Sequence, residues 1–170
     1  GLFAQCFKEF KYALGTTGAD AAYDIVDAGN GAFFVLGNTT ATKSGKNVLV
    51  TKITTGGAIL WSKAYGGLGT EIVNKGSKTK DGGLLITGST GSFSNTKGDI
   101  MALKIDADGN MVWIRKFGLN SVYGDVGMDI IETDDVGYAI AGIIIGSVSK
   151  ACAFVLSLCA GATLVWCKQF

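Results

Sequence analysis

The sequence predicts an all-β chain built from repeated four-stranded antiparallel units, and three observations carry that expectation. One stretch occurs three times, as "KITTGGAILW" (52–61), "KIDADGNMVW" (104–113) and "SLCAGATLVW" (157–166), so that Trp61, Trp113 and Trp166 stand 52 and 53 residues apart. Short runs rich in β-branched and aromatic residues alternate with Gly, Asn, Asp and Ser clusters, which is the pattern of strands and turns. Apolar residues at helical spacing are sustained nowhere. The 26 glycines also oppose helices, since a glycine inside one costs about 1 kcal/mol relative to alanine.

The elements follow in order. "CFKEF" (6–10) reads as an extra N-terminal strand: Lys8 and Phe10 match the pairs Lys63/Tyr65, Arg115/Phe117 and Lys168/Phe170 that follow each Trp, and Cys6 stands in the Trp column. Residues 1–19 are then a spare strand and linker. The first unit, 20–70, has strands near "YDIVD", "GAFFVLG", "NVLVTKI" and the Trp61 segment. The second, 71–124, has "VNKGSK", "GGLLITG", "DIMALKI" and the Trp113 segment. The third, 125–170, has "MDIIET", "VGYAIAG", "CAFVLSL" and the Trp166 segment. Gly37, Gly88 and Gly142 close the second runs, and an acid recurs as Asp20, Glu71 and Asp125. Four antiparallel strands recurring at this period mark a propeller-type blade, so the chain is expected to hold three such blades plus one extra N-terminal strand.

The motifs also resemble a known family. "DGGLLITGST" (81–90) and "GDIMALKIDADGNMVWIRKFG" (98–118) are similar to the repeat of secreted and surface β-propellers of bacteria and archaea. That pattern has an Asp-Gly-Gly turn, an apolar run into Gly, an Asp-led strand, an Asp-x-x-Gly-Asn turn and Trp-x-Lys-x-aromatic-Gly. The second unit fits it well, the first more loosely, and the third departs most. The resemblance spans nearly the whole chain and implies the fold and an extracellular setting. It implies no reaction, because a fold does not fix function.

Composition narrows the classes. Hydrophobic residues make up 48% and charged residues 17%, against a usual charged share of about 25%, and mean hydropathy is +0.34. Such a chain has either a large core or surface buried against other chains. Net charge is +1 with no basic run, which leaves no electrostatic footprint for nucleic acid. The chain has no His, which removes Ser-His-Asp and Cys-His schemes, and no other catalytic constellation is recognisable, so no enzyme and no cofactor are expected. The start "GLFAQCFKEF" has no basic segment followed by a cleavage site, and a first residue other than Met suggests a processed, secreted chain. The weakly charged run from Val136 to Cys167 is interrupted by "GSVSK", so no membrane span is expected.

Strand arithmetic points outward. One spare strand and three full units make thirteen strands, whereas propellers usually have 4 to 8 blades. A lone strand templates further pairing. The spare strand is therefore expected to join a neighbouring subunit, in a head-to-tail contact that makes rings or filaments. The alternative is a piece of a longer propeller or a small ring. The third unit supports an interface. Where the others have Asn38-Thr39-Thr40 and Ser89-Thr90-Gly91 it has Ile143-Ile144-Ile145, and "ACAFVLSL", with Phe154 and Leu156, scarcely alternates. A strand apolar on both faces is buried on both. The competing reading is a central place within this same chain.

Candidate sites are few. Asp106, Asp108 and Asn110 around Gly109 resemble the start of a calcium loop. The other copies lack the acids, and the twelfth position is Phe117 rather than Glu, so a hairpin turn is the stronger expectation. Cys6, Cys152, Cys159 and Cys167 are disulfide candidates, with buried free thiols as the alternative. "NTT" makes Asn38 a glycosylation candidate in an exported chain. Asp20, Glu71 and Asp125 are expected to organise turns between units, and the Trp column to pack between them rather than to stack a sugar. The resulting expectation is a non-enzymatic extracellular structural protein, a homo-oligomer or polymer built by strand pairing and apolar contacts. A small lectin-like or adhesive binding module with a carbohydrate ligand is the alternative.

Overall fold

The computed structural model describes residues 15–41, 45–92, 98–118, 124–147 and 150–170. The spare strand at 6–10 lies outside the described residues. Among the described residues, twelve strands make three four-stranded antiparallel sheets, each a simple meander. The first holds β1 (Asp20–Gly29), β2 (Ala32–Thr39), β3 (Asn47–Thr54) and β4 (Ile59–Tyr65). The second holds β5 (Glu71–Lys78), β6 (Leu84–Thr90), β7 (Asp99–Ile105) and β8 (Met111–Phe117). The third holds β9 (Asp125–Glu132), β10 (Tyr138–Ser147), β11 (Lys150–Leu158) and β12 (Leu164–Gln169). The described residues contain no helix, and so none long and apolar enough to cross a membrane.

The sheets stack face to face, with the second in the middle. Side chains alternate across a strand, and the second sheet uses both faces. Leu84, Ile86, Met101, Leu103 and Ile105 pack on Phe34, Leu36, Val48, Val50 and Tyr65 of the first sheet. Leu85, Ile100 and Ala102 face the other way, onto Ile130, Tyr138, Ile140, Ile144, Phe154, Leu156 and Leu158 of the third. Each large apolar side chain so buried contributes roughly 1.5–3 kcal/mol, which is why residues 84–86 of β6 and 100–103 of β7 are unbroken apolar runs.

This packing corrects the reading of the third repeat. Ile144, Phe154 and Leu156 were expected at a subunit interface, but they lie in the core between the second and third sheets of the same chain. Their strands do alternate: Ala139, Ala141 and Ile143 of β10, with Val155 and Ser157 of β11, point to the opposite face. Ile143 is 38% exposed whereas Ile144 is 7% exposed. Ile145, at the end of the triplet, is partly buried.

The turns before β2, β6 and β10 share a left-handed position: Gly31 (φ 70°), Gly82 (φ 81°) and Val136 (φ 59°). A β-branched residue there is strained, because its Cβ crowds the backbone. Val136 is also 58% exposed, so its side chain gains little by packing. Val136→Gly is expected to raise stability by about 1 kcal/mol, measured by urea unfolding. An unchanged or lower midpoint would refute the strain.

Candidate functional site

The molecule's most elaborated chemistry is the seam where one sheet docks on the next. Trp61 of β4 lies over the β7–β8 turn, so close that a Cβ on Gly109 would meet its ring at 2.9 Å. Around that contact, Lys52 Nζ donates to the Ala107 carbonyl at 2.9 Å, Lys63 Nζ to the Asp108 carbonyl at 2.8 Å, and Tyr65 OH to the Gly109 carbonyl at 2.7 Å. Burial first, and the nearby Asp106 charge second, push the Tyr65 hydroxyl above its usual pKa, so it stays a donor. Lys63 also reaches Asn110 Oδ1 at 3.2 Å. Trp-x-Lys-x-aromatic is thus a three-pronged lock on the next sheet's turn.

That turn is where calcium was considered. Asp106 Oδ1 accepts the Asp108 and Asn110 N–H groups at 2.9 and 2.8 Å, and Oδ2 accepts the Asn110 side-chain amide at 2.9 Å. The Asn110 backbone and side-chain bonds hold the Asp106 carboxyl below the usual carboxylate range. Asp106 therefore caps a turn, Asn110 Oδ1 faces a lysine, and the Asp108 carbonyl is held by the same lysine. Among the described residues no three His, Cys, Asp or Glu side chains gather as metal ligands.

The second seam repeats the theme with different chemistry. Trp113 packs on Tyr138 with ring centroids 5.3 Å apart, and Ala162, the counterpart of Gly109, is buried in the same cluster. Lys104 Nζ lies 5.8 Å from the Tyr138 ring centre and 2.8 Å from Asp81 Oδ2. Burial alone would raise the Asp81 carboxyl, but Lys104, the Thr79 hydroxyl and the Gly83 N–H outweigh it and hold it at about 2. A folded pKa below the unfolded one stabilises above about pH 4 and is lost as pH falls toward 2. Because the Asp81 side chain is 58% exposed, this is worth less than about 1 kcal/mol. A carboxyl NMR titration is expected to place Asp81 near 2 and Lys104→Met to return it toward the ordinary range. An unchanged value in the variant would refute the pairing.

The recurring acids begin β1, β5 and β9. Buried Glu71 accepts from the Thr90 hydroxyl at 2.9 Å, the Gly67 N–H at 3.2 Å and the Ser92 hydroxyl. The Thr39 hydroxyl first, and the Thr16 N–H second, hold the Asp20 carboxyl below its usual range. Buried Asp125 donates its N–H to the Gly98 carbonyl at 3.1 Å, just as Glu71 donates its own to the Lys46 carbonyl at 2.7 Å, tying each sheet to the one before.

Asn38 is corrected by its surroundings. It is 4% exposed, and its Nδ2 donates to the Asn47 and Glu71 carbonyls at 3.1 and 2.8 Å. The nitrogen a glycan would take is spent joining two sheets. Cys152 and Cys159 are exposed free thiols and Cys167 a half-buried one, so no disulfide joins these three. Cys6 lies outside the described residues. The Thr163 and Gly161 backbone bonds hold the Cys159 thiol down, whereas burial pushes the Cys167 thiol up.

Among the described residues, no sheet packs on one face of each end sheet. On the third, the rows Ile131–Ala139–Ser157–Trp166, Asp129–Ala141–Val155–Lys168 and Val126–Ile143–Ala153 share that face. Ile131 and Trp166 are about half exposed, and Phe170 just beyond β12 is 68% exposed. On the first, Ile25–Val35–Thr51–Ser62 and Gly37–Leu49–Ala64 share the outer face, but there Thr51 is 4% and Leu49 8% exposed. The Trp column had been read as packing between units. The tight turns under Trp61 and Trp113 were not part of that expectation, although their recurring small residue at one offset, Gly109 and Ala162, was the available signal.

No protein-family model matches the chain, and no curated protein matches it in sequence. Among solved structures it is similar to a mutant form of a Synechocystis apocarotenoid oxygenase, with a TM-score of 0.51 and 8% identity. The likeness covers 81% of this chain and 35% of that one, so the chain spans about a third of that protein's length. At this identity the fold alone is shared. The finding nonetheless corrects the expectation that the chain is not an enzyme: an enzyme carries this all-β arrangement, and the lack of His excludes only His-based schemes.

Proposed function

We propose that the three sheets are propeller-type blades and that the chain is an extracellular structural subunit, joining copies into a filament or another regular assembly. The observation that supports this most is the uncovered apolar face of the third sheet, where Ile131, Ile143 and Trp166 stand exposed beside Ala139, Ala141 and Val155. Contiguous exposed apolar surface of this kind marks interaction sites. The high apolar share of the sequence agrees with it, and the extracellular setting rests on the resemblance of the second repeat. Sedimentation velocity over a concentration series, with electron microscopy of the same samples, is the test. Regular oligomers or filaments that grow with concentration are expected. A monomer at every concentration would overturn the reading.

A further inference from the structure

We infer that the outer face of the third sheet pairs with the same face of a second copy, about a two-fold axis that runs along the strands between β10 and β11. The inference rests on the assembly reading and specifies its contact. Exposure marks the face. Ile131 is 51%, Trp166 50% and Phe170 68% exposed, and Ala141 and Ala153 between them are exposed as well. A two-fold lets one patch serve both copies, which is the commonest way that soluble chains pair.

The register shows why the face fits itself. Three rows cross it from β9 to β12: Ile131–Ala139–Ser157–Trp166, Asp129–Ala141–Val155–Lys168 and Val126–Ile143–Ala153. Phe170 closes the third row, donating its N–H to the Ala153 carbonyl at 3.0 Å. An axis along the strands lays each row over itself, end for end. Ile131 then meets the partner's Trp166, Val126 the partner's Phe170, and Ile143 the partner's Ala153. Asp129 meets the partner's Lys168, and both side chains are exposed. Symmetry makes each of these contacts twice. Facing sheets stand about 10 Å apart, a gap that an aspartate and a lysine span together. An axis across the strands would instead lay each strand over its own copy, with both aspartates at one edge and both lysines at the other. Like charges brought together across an interface are penalised, so the charges select the axis along the strands.

The face is also shaped to receive its own edge. Ala139 and Ala141 floor a groove of about 230 Å³ bordered by Ile131, Asp129 and Val155. The axis brings β12 of one copy over β9 of the other, so the partner's Trp166 arrives on the side where this groove opens. Trp61 and Trp113 already point in this way from the last strand of one sheet onto the next. The contact closes with two copies, so a larger assembly needs a further contact elsewhere on the chain.

Charge reversal, read by sedimentation velocity over a concentration series, tests this. The unaltered chain is expected to form dimers. Asp129→Lys and Lys168→Asp each set like charges opposite one another twice, and each is expected to weaken the dimer by about tenfold or more. Both side chains are exposed, so neither change enters the core; circular dichroism and thermal unfolding check this, and Asp129→Arg with Lys168→Glu form a second pair if either variant unfolds. The chain carrying both changes is expected to dimerise like the unaltered one, and so is an equimolar mixture of the two single variants, because each restores both opposite-charge pairs. Trp166→Ala is expected to weaken the dimer by about a hundredfold, since an aromatic anchor is lost from both copies. Single variants that pair like the unaltered chain overturn this contact and leave the assembly reading standing. So does a double change or a mixture that fails to restore pairing. A Trp166→Ala chain that melts earlier while its association is unchanged shows that a segment of the same chain takes this face, and also overturns the contact. An unaltered chain that is monomeric at every concentration overturns the assembly reading itself.

Discussion

Gly88→Ala is expected to lower the unfolding free energy by about 3 kcal/mol, the upper end of what overpacking a tight site usually costs. An alanine Cβ at position 88 would sit 1.8 Å from the Ile72 carbonyl oxygen. No rotation relieves that contact, because a Cβ is fixed by its own backbone and the carbonyl belongs to the backbone of the next strand. The strand must shift, and it is the strand that buries apolar residues on both faces. The cause is visible in the register. β5 carries a bulge between Val73 and Lys75, beside the Ile72 carbonyl and opposite Gly88. Gly37 and Gly142 meet the Ala21 and Val126 carbonyls in the same way, at 1.9 and 2.1 Å. Gly91→Ala is the control, since its nearest atoms lie 3.5 Å away, and it is expected to change stability by less than about 0.5 kcal/mol. Urea unfolding of the two variants decides it. A loss at Gly88 no larger than that at Gly91 would remove the close-approach account of the whole glycine column.

That column shows what the sequence could and could not disclose. The recurrence of Gly37, Gly88 and Gly142 was plain, and the strands around them fell where their apolar runs placed them; β7 spans the seven residues of "DIMALKI". The reason for each glycine was hidden, because the carbonyl it must avoid lies on another strand, beside a bulge. The isoleucine triplet failed for a related reason. Ile143 and Ile144 differ by one residue and therefore by one whole face, so a run of three reads alike from either side. Which side was covered depended on the second sheet, contributed by a distant part of the chain. The Trp column was legible as packing because its spacing repeats. Its landing turn was not, since Gly109 and Ala162 share a left-handed conformation rather than a residue type.

Asn38→Ala is expected to cost about 3 kcal/mol, more than an ordinary hydrogen-bonding side chain is worth, because it strands backbone groups in a buried seam. Its Nδ2 serves the Asn47 carbonyl of the first sheet and the Glu71 carbonyl of the second, and its Oδ1 accepts the Val73 N–H at 3.3 Å. Deleting the amide removes the bonds it makes to two acceptors and one donor, and even one buried group left unsatisfied costs about 1–3 kcal/mol. Asn38→Asp separates this account from a loss of packing. It keeps the volume and the acceptor for Val73 but turns a second oxygen toward two carbonyls. Burial and those carbonyls must raise that carboxyl's pKa above its unfolded value. The destabilisation is then present near neutral pH and relieved as pH falls through the folded pKa, when a protonated carboxyl donates to one carbonyl. Relative to the unaltered chain, Asn38→Asp should gain stability from pH 7 toward pH 4, whereas the deficit of Asn38→Ala should stay constant. Parallel slopes for the two variants would refute the bridge. The same geometry bears on glycosylation: attaching a sugar to Nδ2 removes one of its two hydrogens and forces a bulky group between the sheets. Mass spectrometry of chain from a glycosylating host should therefore find Asn38 bare in the folded fraction, and a glycan there would mean that this seam does not close as described.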